Sequence, residues 1–426
     1  MLSLKTSTRA GTAALVIAVS ATALAACSTS PAGTGGGGGD AQTLTVGTNG
    51  GNAMKSVIDD FMAAHPGVKV EIRDSPENYQ QITATQLTGN TAPDVVQVFP
   101  GTGNNVSVKI AGDKGFLADV SDAEWAGEIP DAARDLLSTS DGALVAVPMT
   151  FSSIGGIYNQ GELDELGLAI PTTWQEVLDF CSAATDAGKV PYGLGLADTW
   201  TTQLIPYALT ATLVYGSQPD FAQQQVDGTA TFTDSAWADA LDKYLELDDA
   251  GCFNESPNGT PYSEAQDGIR SGDTLATVSV AAETAAIAST GPDGLQLTYA
   301  AFPATDNAED TYLSATTGPS FAVNSKSSKL DLAKKFLDFL ASPETQIAYA
   351  TSYGDTAALP GDLTQDSQVA ELVSGYVSEN KISTWPDQLW PSTTVQPAMF
   401  DGVQALFSGQ DTVDGVLSKM DAAFQQ

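Results

Sequence analysis

The sequence predicts an α/β fold that is built around a parallel sheet. Between residues 43 and 99, short β-type stretches alternate with helical stretches in the order strand, helix, strand, helix, strand. Neighbouring parallel strands need a long connection, and a helix is the usual one. Hydrophobic residues make up 42% of the 426-residue chain, which is enough for a large core and for two or three domains.

The first 26 residues have the pattern of a secretory signal rather than of a folded element. Lys5 and Arg9 give a positive start, and residues 10–26 are uncharged and small or apolar. Leu24-Ala25-Ala26-Cys27 resembles the bacterial lipobox, in which the cysteine receives lipid and becomes the first mature residue. We therefore expect a diacyl anchor on Cys27, since stable attachment takes two chains. An ordinary signal peptide followed by a chance cysteine is the alternative.

Residues 27–42 predict a flexible tether, because Gly35 to Gly39 are consecutive and no apolar period is present. The chain carries 52 acidic against 17 basic residues, a formal net charge of −35. This charge argues against a nucleic-acid partner and against electrostatic docking on anionic lipid, because both need clustered cations. The one histidine, His65, excludes a multi-histidine zinc site, and we interpret it as a helix-end residue rather than a triad member.

Each element of the first α/β stretch has its own local pattern. The predicted elements are a strand at 44–46, a helix over 54–62 with Asn52 as its cap, an alternating strand at 68–72, a polar helix over 78–87 and a buried strand at 94–99.

Further along the chain, two extended segments at 144–148 and 156–159 flank Met149 to Gly155, which we interpret as a crossing between two lobes. Thr173 to Glu176 is a capping-box pattern, and Trp174 and Trp237 lie on apolar helix faces, which favours core positions for both. The remaining predicted elements are strands at 295–299 and 321–323 and helices over 332–340, from Pro343, near 367–378, 397–407 and 412–424.

Two cysteines follow Cys27. An exported chain lives in an oxidising space, so Cys181 and Cys252 predict one disulfide. A thiol nucleophile is the weaker alternative, because neither cysteine has a histidine nearby in sequence.

Four segments in order resemble the sugar-binding family of bacterial ABC-importer solute-binding proteins, the family of maltose-binding protein. The segments are Phe61 to Val70 with its His-Pro-Gly, Gly89 to Val95 with its Pro-Asp-Val, Gly156 to Trp174 with its Tyr-Asn, Gly-Leu and Thr-Trp, and Ala333 to Glu344 with its Phe-Leu pair. Each match is loose alone, whereas the four together behind a lipobox are specific.

The resemblance implies a two-lobed periplasmic-binding-protein-like fold of type II, with a ligand cleft between the lobes and three hinge crossings. The expected domains are residues 43–148 and 303–352 for lobe 1 and 149–302 and 353–426 for lobe 2. Gly318 to Ser320 and Tyr353 to Asp355 mark the other two crossings. We expect a monomer with no catalytic residue, metal or cofactor, whose partners are a sugar and the transmembrane subunits of an ABC permease.

A neutral sugar suits the composition of the chain. Binding it takes short polar side chains for the hydroxyls and flat aromatic side chains for the C–H faces, and it needs no net charge. Following the family pattern, the candidate ligand-binding residues lie at the ends of elements: Thr48, Asn49, Asn52, Phe99, Thr102, Asn104, Phe151, Ser152, Asp198, Trp200, Glu283, Trp385, Trp390 and Gln396. For Trp200 the core is the alternative position. Of Trp385 and Trp390, we expect at least one in the cleft.

The chain departs from the family pattern after the strand near 275–280. The family commonly has Gly-x-Trp there, whereas this chain has no aromatic residue between Val278 and Glu283. One stacking surface is therefore missing. Glu283 is expected to bind a hydroxyl in its place, or else to be a solvated acid at a helix start.

Two other functions stay open at this point. The same fold could bind a polyol, a glycerophosphodiester or a peptide. An exported carbohydrate-active enzyme is the second alternative, although no pair of acids has a special setting and neither Gly-x-Ser-x-Gly nor His-Glu-x-x-His occurs.

Overall fold

The computed structural model of the protein describes residues 42–75 and 78–425. Over these residues the chain forms two β-sheets, one of five strands and one of seven, with helices against both. The predicted signal peptide, Cys27 and the tether up to residue 41 lie outside the described residues.

The strands are β1 (Gln42–Thr48), β2 (Val68–Asp74), β3 (Val95–Val98), β4 (Val147–Pro148), β5 (Thr150–Asn159), β6 (Val190–Tyr192), β7 (Thr274–Val280), β8 (Leu297–Ala300), β9 (Leu313–Thr317), β10 (Ser320–Val323), β11 (Thr356–Ala357) and β12 (Ile382–Ser383).

The helices are α1 (Gly51–Ala64), α2 (Tyr79–Thr88), α3 (Val108–Asp113), α4 (Asp131–Leu136), α5 (Gln160–Leu166), α6 (Trp174–Asp186), α7 (Leu204–Thr210), α8 (Phe221–Val226), α9 (Trp237–Asp249), α10 (Tyr262–Ser271), α11 (Ala282–Thr290), α12 (Leu330–Leu340), α13 (Pro343–Tyr353), α14 (Gln368–Ser378), α15 (Val395–Phe407) and α16 (Val413–Phe424).

The five-stranded sheet, called here the first sheet, confirms the predicted α/β fold. Its order is β2-β1-β3-β10-β4, and β1 pairs in parallel with both β2 and β3. The connections between these parallel strands are α1 and α2, as the alternating pattern predicts. β10 and β4 extend the sheet in antiparallel fashion.

The seven-stranded sheet, called here the second sheet, is organised around β5. The path β12-β9-β5-β7-β6 runs through it, and β8 and β11 also pair with β5. Most of its pairs are antiparallel, so the simple β-α-β pattern in the sequence does not extend to this sheet.

The chain passes between the sheets in very short segments. Only Met149 separates β4 from β5, and only Gly318 and Pro319 separate β9 from β10. A third passage leads from α13, which packs on α1, to β11, which pairs with β5. The action of these passages as hinges stays a prediction.

Two predicted boundaries differ from the structure. The first passage is shorter than the predicted crossing at Met149 to Gly155, because β5 already begins at Thr150; an added Cβ at Gly155 would lie 2.3 Å from the carbonyl oxygen of Ala300, so this glycine permits close strand pairing. In addition, β9 lies in the second sheet although residues 303–352 were placed in lobe 1, so this passage falls at Gly318 and Pro319.

Several local signals are confirmed. Thr173 and Glu176 form the capping box of α6, and α13 begins at Pro343 after Ser342. His65 directly follows α1 and its ring nitrogen lies 3.0 Å from the carbonyl oxygen of Phe61. Asn52 is not the cap of α1, since the helix already begins at Gly51, where a side chain would collide with Asp74.

Each sheet has its own buried side chains. One cluster surrounds the first sheet, and the two others surround the second. Trp174 and Trp237 are buried in the largest cluster, as predicted. The predicted disulfide joins Cys181 of α6 to Cys252, which follows α9, within the same cluster.

Within the described ranges, none of the helices combines the length and the apolar character needed to cross a bilayer.

Candidate ligand-binding cleft

The loop after β1 places two buried polar groups without partners. Thr48 is fully buried and its hydroxyl donates to Gln97 Oε1 at 2.6 Å, while the Asn49 backbone N–H donates to the same oxygen at 3.2 Å. Asn49 Oδ1 and Gln97 Nε2 are left without a protein partner. Buried polar atoms are nearly always hydrogen-bonded, so these two are open to a polar ligand or to water. Thr48 holds the Gln97 side chain in place through its hydrogen bond. Asn52, another candidate, is exposed on α1.

The loop after β3 contacts the 3₁₀ turn Pro386–Gln388, which belongs to the part of the chain around the second sheet. Thr102 Oγ1 donates to the carbonyl oxygens of Gln388, at 3.4 Å, and of Trp390. Asn104 Oδ1 instead accepts from Val106 N at 3.0 Å and shapes its own loop. Phe99 is half-buried against the core of the first sheet. Thr102 is therefore the predicted residue in this loop that reaches across.

Gly101 makes this approach possible. It has φ of +69°, and an added Cβ would lie 2.2 Å from the carbonyl oxygen of Gln388. A side chain at this position is therefore excluded both by backbone conformation and by the facing backbone.

We expect Gly101→Ala to lower the free energy of unfolding more than Gly115→Ala does. Both glycines have similar positive φ values, +69° and +72°, but nothing lies within 4 Å of an added Cβ at Gly115. The shared left-handed strain costs about 1–2 kcal/mol, and the collision at Gly101 adds about 1–3 kcal/mol. Urea unfolding of the two variants measures the difference. Equal losses of unfolding free energy in the two variants would show that the loop after β3 does not pack against the turn Pro386–Gln388.

Trp200 lies at the edge of the core around the second sheet and is partly exposed. It is half-buried and packs edge-on against Tyr262, with ring centroids 5.0 Å apart. Asp198 accepts a hydrogen bond from the Tyr262 backbone N–H at 2.7 Å, and the Tyr262 hydroxyl shares a 2.6 Å hydrogen bond with Ser279. Asp198 thus anchors the aromatic pair, and Trp200 is its accessible member.

Glu283 is half-buried rather than fully solvated. It lies in the first turn of α11, and Gln266 Nε2 donates to its carboxylate at 2.6 Å. Burial raises the pKa of Glu283, while Gln266 and the more distant Arg270 partly offset the effect. A half-buried acceptor therefore lies at this position, and its binding of a hydroxyl stays a prediction.

Tyr353 of α13 lies beside Gly50 in the loop after β1, and sequence reasoning does not include it among the candidate ligand residues. Its ring stacks on Tyr349 with centroids 5.6 Å apart and lies 3.1 Å from where a Cβ on Gly50 would be. Burial raises the pKa of Tyr353, and the nearby charges of Asp355 and Glu283 raise it further. The segment Tyr353 to Asp355, which the sequence marks only as a crossing, is the one signal in the sequence that points to Tyr353.

The turn at 386–388 holds a buried acid. Asp387 is 9% exposed, and burial raises its pKa to about 6, with Tyr207 and Gln396 facing it. Gln396 also donates to Gln203 Oε1 at 3.0 Å. The sequence named Gln396 but not Asp387.

Two predicted aromatic residues in this region differ in exposure. Trp390 is fully buried among Tyr207, Phe232 and Trp237, which differs from the cleft-facing position that was expected. Trp385 is half-buried and donates its Nε1–H to the carbonyl oxygen of Ser314 at 3.3 Å. Trp385 is thus the member of the pair that retains an accessible surface.

The remaining two candidates lie at the first passage. Phe151 is half-buried, whereas Ser152 is buried and donates its hydroxyl to Asp355. Ser152 therefore stabilises the passage, which leaves Phe151 as the more accessible of the two.

Three of the acids described above have no counter-ion. None of Asp198, Glu283 and Asp387 forms an ion pair among the described residues. Such carboxylates accept hydrogen bonds from hydroxyls and repel anions.

Comparison with known proteins agrees with this architecture. The family model of bacterial extracellular solute-binding proteins matches residues 45–347. A multiple sugar-binding protein of Streptococcus mutans is 19% identical over 343 residues, 80% of each chain.

Solved structures share the fold. RafE in complex with raffinose has a TM-score of 0.75 at 19% identity, covering 90% of this chain and 98% of that one. A sugar transporter of Bacillus licheniformis in complex with stachyose has a TM-score of 0.71 at 20% identity, with 89% and 98% covered. The GacH receptor of Streptomyces glaucescens, solved unliganded and with acarbose, has a TM-score of 0.74 at 18% identity, with 90% and 98% covered.

Proposed function

The chain belongs to the family of bacterial extracellular solute-binding proteins, and from this premise we propose that it captures a mono- or oligosaccharide and delivers it to the permease of an ABC importer. A member of this family binds its solute without transforming it. The proposal extends to a neutral sugar, to closure of the two sides over it, and to a lipid anchor on the outer face of the bacterial cell membrane.

The observation that carries the sugar proposal is the combination of Trp200 with buried, uncharged or acidic hydrogen-bonding groups. Asn49 Oδ1 and Gln97 Nε2 lack partners on the first-sheet side, and Glu283 is an acceptor on the other side. A saccharide needs an aromatic ring such as an indole to stack on its C–H face. It also needs amide or carboxylate groups to form hydrogen bonds with its hydroxyls. The sugars bound by the structural relatives support the same class.

Titration calorimetry against a panel tests this proposal. The panel contains raffinose, stachyose, maltose, chitin oligosaccharides, glycerol 3-phosphocholine and a peptide mixture. We expect binding of at least one saccharide and no binding of glycerol 3-phosphocholine or of the peptides. Silence toward every sugar together with clear binding of a peptide or phosphodiester would refute the substrate class.

We expect Cys27→Ser to release the protein from the membrane. Without the thiol there is no site for acyl chains, and the acidic chain has no other affinity for anionic lipid. Fractionation of cells labelled with tritiated palmitate measures both label and location. Cys181→Ser in the same experiment is the control and is expected to keep the label. A Cys27→Ser variant that stays labelled and membrane-bound would contradict the anchor.

A further inference from the structure

A buried carboxyl group lies where the chain passes between the sheets. Asp355 is 2% exposed and follows the end of α13 directly after Gly354. None of the ion pairs among the described residues includes it. A carboxylate without a cation is costly to bury, so its protonation state must depend on its surroundings.

The first passage holds this carboxyl group by hydrogen bonds. Ser152 Oγ donates to one oxygen of Asp355, and Thr150 Oγ1 lies 3.2 Å from Ser152 Oγ. The other oxygen accepts from the backbone N–H of Thr356 at 3.0 Å, where β11 begins. The start of β5 and the start of β11 therefore meet at the carboxyl group.

The second passage packs on the same hydroxyls. Gly318 N donates to the Thr150 carbonyl oxygen at 2.8 Å. A Cβ on Gly318 would lie 2.3 Å from Thr150 Oγ1 and 2.4 Å from Ser152 Oγ. All three passages thus meet in one buried polar cluster, and a rotation of one sheet against the other has to disturb it.

The groups that face Asp355 include no cation. Tyr299 of β8 and Tyr349 and Tyr353 of α13 lie close enough for their phenols to sense its charge, and Tyr353 also senses the charge of Glu283 of α11. Burial raises the pKa of Asp355 to about 7, and hydrogen bonds from Ser152, Thr356 and Thr150 only partly offset this.

We propose that Asp355 is a proton-linked switch of the interlobe passages, whose neutral form holds them in the packed arrangement seen here and whose ionised form favours an arrangement in which water reaches the carboxyl group. The inference does not depend on which solute the protein binds. It requires only that the two sheets move relative to each other.

The direction of the effect follows from linkage. The packed arrangement has the raised pKa, and water access returns it toward the ordinary value of 3.8. The packed arrangement is therefore favoured at low pH, and that advantage is lost as the pH rises through about 7. Between pH 5 and pH 8 the ratio of packed to open protein is expected to fall by up to about 100-fold, since each unit of pKa difference is worth a factor of ten.

Electron–electron distances between two nitroxide labels test the proposal without any ligand. The labels are placed with Lys55→Cys on α1 and Ser289→Cys on α11, both exposed positions, in protein that carries Cys27→Ser. In protein with no further substitution, we expect the distance between the two labels to increase when the pH is raised from 5 to 8. Asp355→Asn is expected to abolish the shift. Asp248→Asn, which removes a carboxyl group with a raised pKa on α9, is expected to keep it.

Ser152→Ala gives a second test that retains the acid. Loss of a donor to the carboxylate raises its pKa further, so the midpoint of the distance shift should move to higher pH. A distance that does not change with pH, or a shift that Asp355→Asn leaves intact, overturns the proposal. Neither result says whether the protein binds a sugar, which calorimetry measures independently. Failure of this inference can therefore be distinguished from failure of the proposed function.

Discussion

Replacing Trp200 with alanine is expected to weaken binding of the preferred saccharide by about 30-fold. A buried aromatic anchor in a binding site is worth about 2 kcal/mol when truncated, and this converts to that factor. Trp200 is the indole that packs on Tyr262 at the edge of the core while keeping an accessible surface. Titration calorimetry with the tightest-binding sugar of the panel measures the change.

Two matched variants separate ligand contact from damage to the fold. Trp200→Phe keeps a flat ring and is expected to bind within about threefold of the unaltered protein. Val377→Ala removes apolar surface at an exposed position of α14 and should have no effect. Unchanged affinity in Trp200→Ala, with an unchanged unfolding midpoint, would remove Trp200 from the site.

Removing the disulfide with Cys181→Ala and Cys252→Ala together is expected to lower the free energy of unfolding by about 4 kcal/mol. The bond closes a loop with a sequence separation of 71 residues, and in the chain-entropy model its loss frees that loop in the unfolded state. It ties α6 to the segment after α9 within the main core around the second sheet. Urea unfolding monitored by circular dichroism measures the loss.

Reduction of the unaltered protein is the control for this double substitution. Because both sulfur atoms are fully buried, the reductant is added in the unfolded state and unfolding is then measured under reducing conditions. The reduced protein and the double variant should have the same midpoint. A double variant as stable as the oxidised protein would mean that this core is held by packing alone.

The parts of the fold that sequence could predict are those with local causes. Apolar periodicity located α1, and the Thr173–Glu176 pattern located the start of α6, because a helix and its cap depend on residues within a few positions. The family resemblance then supplied what local patterns cannot, namely two separate sheets with a cleft.

The parts that could not be predicted depend on contacts between distant segments. The predicted crossing at Met149 to Gly155 extends too far along the chain, because Gly155 already lies in β5, where Ala300 approaches it closely. Trp390 follows a polar loop, yet aromatic residues from three other segments surround it. Asp355 and Asp387 are ordinary acids in the sequence, and only long-range packing makes them buried and raises their pKa values.

The exposure of the predicted site residues also has a physical pattern. Thr48 ends β1 and Ser152 lies near the start of β5, and their hydroxyls are engaged by Gln97 and Asp355. Short polar side chains at strand ends serve equally well as supports for a neighbouring backbone. Sequence alone does not distinguish such a support from a ligand contact.

A crystal structure of the protein soaked with the tightest-binding saccharide tests the central claim most directly. The account predicts density for an uncharged sugar between the two sheets, with a C–H face on Trp200 and hydroxyls within hydrogen-bond distance of Glu283 and of the Asn49 side chain. A sugar bound elsewhere on the surface, or a space between the sheets that stays filled by protein side chains, would contradict it.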